Sequence, residues 1–192
     1  MFYKENKKFL TKEELDIVSN VVLGNNFPWF YEPIATTDKF QLFCHTLIKR
    51  YDVNKEEPVQ NSEIFPFFNN ILLRFCNKNK IKINKITRAV INLTSHHNEY
   101  KTADPHVDHN FKHKAFMIYL NDTQGDTIIY DKKFNNKDDE VIKLENIKKP
   151  LKILKSIKPE IGKAICWDGE YYHAATYPKS GNRRVVLVIT FF

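Results

Sequence analysis

Pro105-His106-Val107-Asp108 is followed, 65 residues after the aspartate, by His173 in the pair Tyr172-His173, and then by Arg183-Arg184 at the head of the apolar run Val185-Val186-Leu187-Val188. In a β-strand successive side chains alternate faces, so His106 and Asp108 point the same way, separated by roughly 6.5 to 7 Å of rise. One ion can take both, with Val107 packed behind. Two histidines and one aspartate at this spacing can build a three-ligand site for a redox metal, with a cation downstream to hold an anionic co-substrate. The pair alone is weak. Seven histidines and eleven aspartates in 192 residues give about 0.4 His-x-Asp by chance. His97-Asn98-Glu99 repeats the same one-residue gap as a decoy. The weight rests on the whole set and its order along the chain.

Length and composition frame that set. A chain of 192 residues fits one domain with a core large enough to need no metal or disulfide staples. Aromatics are 14% of residues, so the core is expected to be rich in rings. Cys44, Cys76 and Cys166 are odd in number and form no spaced pair, which argues for buried thiols in a reducing cytosol. No apolar run reaches the roughly 18 residues that span a membrane, and the opening MFYKENKKFL has neither the apolar stretch nor the cleavage site of a signal peptide. A soluble, cytoplasmic protein is expected. The net charge of +7 permits an acidic partner such as nucleic acid or an acidic peptide, but lysines are spread throughout rather than gathered in a stripe.

Along the chain the texture changes near residue 80. Thr11-Lys12-Glu13-Glu14 is a capping box, and Leu15, Val18 and Val22 recur at helical spacing before Gly24, so a first helix is predicted near 11 to 23. An aromatic loop follows at Asn25 to Tyr31. Residues 40 to 51 are compatible with strand or helix. A second helix is predicted from about 66 to 78, opened by Pro66, with Phe68, Ile71, Leu72 and Phe75 on one side. Beyond it come short β-branched and aromatic runs at 86 to 93, 115 to 120, 127 to 130, 151 to 157, 163 to 167 and 184 to 192, separated by turn residues such as Asn121-Asp122, Gly125-Asp126 and Asp168-Gly169. This reads as a single domain that is mainly β with N-terminal helices. Residues 1–80 form a helical support and aromatic loop, and 81–192 an antiparallel sandwich or barrel of jelly-roll type. Residues 131 to 150 read as a surface insertion.

In a jelly roll, His106 and Asp108 at a strand edge and His173 at a strand mouth come side by side. Two imidazoles and one carboxylate on one face of an ion leave three positions open, as in non-haem Fe(II) oxygenases. A 2-oxo acid can fill two of them and O2 the third, while an arginine fork holds the far carboxylate. Arg88 and Asn92 share one face of the strand upstream and are candidates for the pocket, as is Thr127. Single histidines elsewhere (His45, His96, His109, His113) read as surface or satisfied core residues.

The second half of the chain resembles the 2-oxoglutarate and Fe(II) dependent dioxygenase superfamily, in particular its prolyl-hydroxylase-like branch. The matching text runs from His106-Val107-Asp108 through Met117-Ile118-Tyr119-Leu120-Asn121 and Gly125-Asp126-Thr127 to Pro159, Gly162, Trp167-Asp168-Gly169, His173 and Arg184-Val185-Val186. It covers roughly residues 85 to 192. The resemblance implies a double-stranded β-helix of cupin-like form, with Fe(II) held by His106, Asp108 and His173, and 2-oxoglutarate and O2 as co-substrates. It also implies that Tyr119 and an arginine bind the distal carboxylate of 2-oxoglutarate. Counting from His173 favours Arg183, whereas direct position at the strand head favours Arg184. Adjacent residues face opposite ways, so only one of them can serve, and Arg184 is expected to. Asn92 is assigned to the same co-substrate, although the branch often has a tyrosine on this strand and the chain has none there. The activity implied is hydroxylation of a C–H bond, of a peptidyl proline or other protein side chain, with release of succinate and CO2. The alternatives are a nucleobase-oxidising dioxygenase and a non-catalytic jelly-roll binding module. Ser95 to Asp104 is expected to lie over the site, with Tyr100 as a substrate contact.

Overall fold

The computed structural model describes residues 1–37, 40–50 and 59–192. Among them lie ten strands: β1 (Tyr3–Asn6), β2 (Phe30–Glu32), β3 (Leu42–Ile48), β4 (Ile86–Ser95), β5 (Lys114–Tyr119), β6 (Thr127–Lys133), β7 (Ile153–Ile157), β8 (Ala164–Asp168), β9 (Tyr171–Ala175) and β10 (Arg183–Phe191). Helix α1 (Lys12–Ile17) runs on into a π-type turn over Val18–Val22, and α2 spans Phe65–Asn79. The strands form two antiparallel sheets, one ordered β1-β8-β5-β10-β4-β3-β2 and the other β7-β6-β9. Neighbours distant in sequence thus lie side by side, as in a jelly roll.

The period-2 pattern of β10 explains the layering. Val185, Leu187, Ile189 and Phe191 join one apolar cluster with Phe68, Ile71, Leu72 and Phe75 of α2. Val186 and Val188 face the other way, into a second cluster with Met117, Tyr119, Ile129 and Trp167. One side of the large sheet is therefore covered by helix and the other faces the small sheet. Each of the four α2 side chains is at most 1% exposed, a burial contributing roughly 1.5–3 kcal/mol apiece. A polar residue at Phe75, for instance, would break this seam. Pro66 sits in the first turn of α2, and Lys80 closes the helix in the left-handed conformation at φ 57°. At α1, Thr11 Oγ1 accepts from the Glu14 amide at 3.2 Å and Glu14 Oε2 accepts from the Thr11 amide at 2.8 Å, so two otherwise unpaired donors are satisfied.

The region before residue 81 differs from the helical support and aromatic loop predicted for it, because β1, β2 and β3 from this region enter the large sheet. Residues 42–48 are strand, held between β2 and β4; residue 51 lies outside the described residues. The four residues of β1, Tyr-Lys-Glu-Asn, carry no apolar alternation. What makes them a strand is the edge of β8, where Tyr3 pairs with Trp167 and Asn6 with Ala164. The segment 131–150 begins inside β6 and is not wholly a surface excursion. Val141 bridges His106, and Ile142 packs on the cluster of Val107, Tyr130 and Tyr172. Among the described residues no helix is long and apolar enough to cross a membrane.

Candidate active site

A cavity of about 450 Å³ opens between the two sheets. Alternation along β4 sends Arg88, Val90, Asn92 and Thr94 into it, and β10 contributes Arg184, Val186 and Val188. His106, Asp108 and His173 line the same space. His106 lies in a one-residue bridge beside β9, exchanging backbone hydrogen bonds of 2.9 Å in both directions with His173, so the small sheet is extended by one position. That pairing sets the two imidazole rings 4.6 Å apart between centroids. Asp108, two residues on, turns its carboxylate to the same side, while Val107 points away into the apolar cluster and is 4% exposed. His173 stands within β9 rather than at a strand mouth.

The ring nitrogens are sorted by the backbone. His106 Nδ1 lies 3.2 Å from the Asp104 carbonyl, and His173 Nδ1 lies 3.2 Å from the Tyr171 carbonyl. A carbonyl only accepts, so each Nδ1 carries the proton and each Nε2 keeps a free lone pair. Burial, reinforced by His173, pushes the His106 imidazole down to about 4, which keeps it neutral and able to ligate near neutral pH. Burial opposes ionisation of Asp108, but His173 and Arg88 hold its carboxyl below the ordinary carboxylate range. Its two oxygens differ. Oδ1 accepts from Arg88 Nη1 at 3.1 Å, whereas Oδ2 is buried with no hydrogen-bond partner and lies 3.5 Å from His173 Nε2. One ligand atom from each of the three residues falls within 4.8 Å of the others. Two neutral imidazoles, each oriented by a backbone carbonyl, and a carboxylate with one orphaned oxygen suit a divalent transition metal.

At the other end of the cavity sits Arg184, 3% exposed. Its Nε donates to the Gly125 carbonyl at 2.9 Å and its Nη2 to Thr127 Oγ1 at 2.7 Å; Tyr119 also donates to Thr127 Oγ1, at 2.6 Å. The guanidinium carbon lies 5.6 Å from the Tyr119 ring centroid. No carboxylate among the described residues forms an ion pair with Arg184. A guanidinium this deep with only neutral hydrogen-bond partners is costly until an anion joins it. Burial accordingly pushes the Arg184 pKa down from its ordinary value. Gly125 makes the approach possible: at φ 107° it adopts a conformation that side chains rarely take, and a Cβ there would lie 2.7 Å from the Thr176 carbonyl and 3.1 Å from Arg184 Cδ. Arg183, one residue earlier, is exposed, and its carbonyl accepts from Asn121 Nδ2 at 2.8 Å. Asn92 lines the cavity with its Oδ1 buried and without a hydrogen-bond partner.

The remaining histidines separate from this group. His97 does not form a carboxylate cluster with Glu99; its Nδ1 accepts from the Glu99 and Tyr100 amides, both at 3.2 Å, and its ring packs on Phe40 and Tyr177. His45 bonds the Pro28 carbonyl and Ser62, and His96 the Pro178 carbonyl. The segment from Ser95 to Asp104 is tied to the end of β9 by a Thr102–Thr176 bridge, and its Ala103 reaches the cavity. Tyr100 packs on Phe40 and His97. Lys49 and Arg50, absent from the sequence-level candidates, also line the cavity. Arg50 Nη1 donates to the Asp108 carbonyl. They follow β3, whose strand character the periodicity left open, so no pattern in the chain singled them out.

No protein-family model matches this sequence, and no curated protein matches it. Solved structures do match the fold. An oxidoreductase of the 2OG-Fe(II) oxygenase family from Burkholderia pseudomallei aligns with a TM-score of 0.64 at 14% identity, over 98% of this chain and 85% of that one. The epimerase SnoN from nogalamycin biosynthesis, in complex with Fe3+, alpha ketoglutarate and nogalamycin RO, aligns with a TM-score of 0.59 at 7% identity, over 98% and 78%. A Trichoplax adhaerens prolyl hydroxylase in complex with a hypoxia inducible factor oxygen degradation domain peptide fragment gives 0.59 at 12%, over 99% and 83%. The chain shares the fold of these three structures.

Proposed function

We propose that this protein is an Fe(II)- and 2-oxoglutarate-dependent dioxygenase that hydroxylates a C–H bond, with a peptidyl proline or other protein side chain as substrate and succinate and CO2 as products. The observation that carries the reading is the pairing, in one cavity, of the His106–Asp108–His173 cluster with the buried cation of Arg184, which has no ion-pair partner among the described residues. A metal chelated by a 2-oxo acid needs these two features together. The fold it shares with 2OG-Fe(II) oxygenases, one a peptide-bound prolyl hydroxylase, supports the same reading.

His106 and His173 would hold iron through Nε2 and Asp108 through Oδ2. Bound iron supplies the oxidising chemistry, coupling decarboxylation of the 2-oxo acid to oxidation of the substrate. The chain's own residues do the positioning. Arg88, by occupying Asp108 Oδ1, directs the carboxylate to ligate through its other oxygen. Arg184, with Tyr119 and Thr127 beside it, holds the distal carboxylate of 2-oxoglutarate and so sets where its keto-acid end lies. Asn92 offers a further polar contact from the neighbouring strand. Val186 and Val188 line the space between with apolar surface and limit water there.

The test is succinate release from 2-oxoglutarate by the purified protein. It is expected to need Fe(II) and to disappear in His106→Ala. Protein supplied with iron that neither binds nor consumes 2-oxoglutarate refutes the proposal.

A further inference from the structure

Among the described residues, the cavity is lined with more positive charge than a metal and 2-oxoglutarate can use. Among the described residues four cations line it (Lys49, Arg50, Arg88 and Arg184) against two carboxylates, Glu32 and Asp108. A divalent ion and a dianionic co-substrate cancel each other, so two positive charges remain in surplus. Their location is set by the strands. Arg184 pairs in register with Thr94 at one end of β4, and Arg88 lies six residues back along the same strand, about 20 Å away. A register shift between Thr46 and Ile48 sets Ile48 opposite Ala89, which brings Lys49 and Arg50 alongside the Arg88 end. Arg88 is already taken by Asp108. Glu32, on β2, lines the same cavity and its carboxylate also acts on Arg88, so the charge of Arg88 is offset from two sides. Among the described residues the surplus therefore sits on Lys49 and Arg50, beside the metal cluster and opposite Arg184.

Like charges gathered at the rim of a cavity repel one another, and the repulsion is relieved by an anion bound between them. Resting on the dioxygenase reading, we propose that Lys49 and Arg50, with Arg88 behind them, form a subsite for a carboxylate of the substrate to be oxidised. The substrate then spans the metal cluster, its carboxylate at this end and its oxidised carbon between the two cationic poles. A cavity of about 450 Å³ lies in the range that encloses small molecules or single side chains. Such a space suits the carboxylate of a free amino acid or of an acidic residue flanking the target in a peptide better than a nucleic-acid backbone.

The proposal is tested by titration calorimetry on the full chain loaded with Mn(II) and 2-oxoglutarate. The probes are a blocked pentapeptide with proline followed by glutamate, its glutamine twin, N-acetylproline and N-acetylprolinamide. At least one acid is expected to bind about tenfold or more tightly than its neutral twin. Preference within the peptide pair assigns the carboxylate to a peptide, and preference within the small-molecule pair assigns it to a free acid. The preference should shrink to under about twofold in Lys49→Gln/Arg50→Gln. In Lys49→Glu/Arg50→Glu it should pass to a pentapeptide with lysine in place of glutamate. Equal affinity within both pairs, no binding by any probe, or tighter binding of an oligothymidylate than of every acid overturns the proposal. Binding of 2-oxoglutarate by the unaltered protein, measured first and without probes, reports separately on the dioxygenase reading.

Discussion

Two pairs of histidines lie close together in this molecule and do different things. His106 and His173 face the cavity with ring centroids 4.6 Å apart; His109 and His113, a few residues on from Asp108, are 4.9 Å apart and buried as well, at 4% and 2% exposure. In the first pair each Nδ1 is fixed by a carbonyl and each Nε2 keeps its lone pair, with the orphaned Asp108 Oδ2 alongside. In the second, His109 Nε2 bonds Thr190 at 2.8 Å and Thr87 at 3.2 Å, and its ring stacks on Phe111. His113 gives its Nδ1 to the Phe111 carbonyl at 2.7 Å and presses its Nε2 against Gly169. Three of these four imidazoles are buried and His106 is half-buried, so exposure does not separate the pairs. His113 Nε2 is also without a hydrogen-bond partner, so what separates the pairs is the free carboxylate oxygen of Asp108, which lies beside His173 and has no counterpart at His113.

Substitution by alanine should expose that difference most strongly. His173→Ala is expected to lower Fe(II)-dependent succinate release by about 100-fold or more, since a three-ligand site cannot spare a donor. His113→Ala, assayed per folded molecule, should stay within about threefold of the unaltered protein. If His113→Ala abolished activity while the fold persisted, the division between the two pairs would fail.

The next contrast is between neighbours on β10. Arg184→Gln should weaken 2-oxoglutarate binding about 30-fold or more, because truncating one partner of a buried charge pair costs about 2–5 kcal/mol. Arg183→Gln, on the exposed side, should change it less than about twofold. Equal effects in calorimetry would deny that strand alternation selects the anion-binding arginine.

Gly169 tests the packing pair from the other side. A Cβ there would fall 2.1 Å from His113 Nε2, so Gly169→Ala is expected to cost about 1–3 kcal/mol in urea unfolding. Adding His113→Ala should return part of that loss, as a double-mutant cycle would measure. Additive losses would remove the contact from the account.

A further effect concerns pH. Burial pushes the His109 imidazole down to about 3 and lowers that of His113 in the same direction, from an ordinary value of 6.5. On acidification the unfolded chain takes up these protons first, so the stability due to a neutral buried pair is present above pH 6.5 and drains away as pH falls toward 3. Urea midpoints should fall between pH 7 and pH 5, less steeply in His109→Gln. A flat response would show that these rings do not titrate on unfolding.

Some of this was readable from the chain and some was not. The predicted β runs match β4 to β8 and β10 to within about three residues at either end, because their apolar and β-branched residues repeat with period 2 or fill fully buried strands. β1, β2 and β9 escaped the pattern. Tyr3–Asn6 is polar, Phe30–Glu32 is only three residues long, and Tyr171–Ala175 follows its neighbour after a two-residue turn. Each is a strand because of what it pairs with. His106, Asp108 and His173 were singled out by residue type and order, and the three do converge. Arg183 and Arg184 could not be separated by counting. Lys49 and Arg50 left no local sign.

The sequence by itself determined the chemistry available: two imidazoles, a carboxylate and an arginine in a set order, on segments whose periodicity makes them strands. Those are properties of residue type and of local backbone geometry. The tertiary structure alone decided that Asp108 and His173 stand 3.5 Å apart, that Arg184 and not Arg183 turns inward, and that a second cationic pole lies across the cavity from it. Such facts depend on strand pairing and register between segments far apart in the chain. A shift of one residue in that pairing turns every side chain of a strand to its other face.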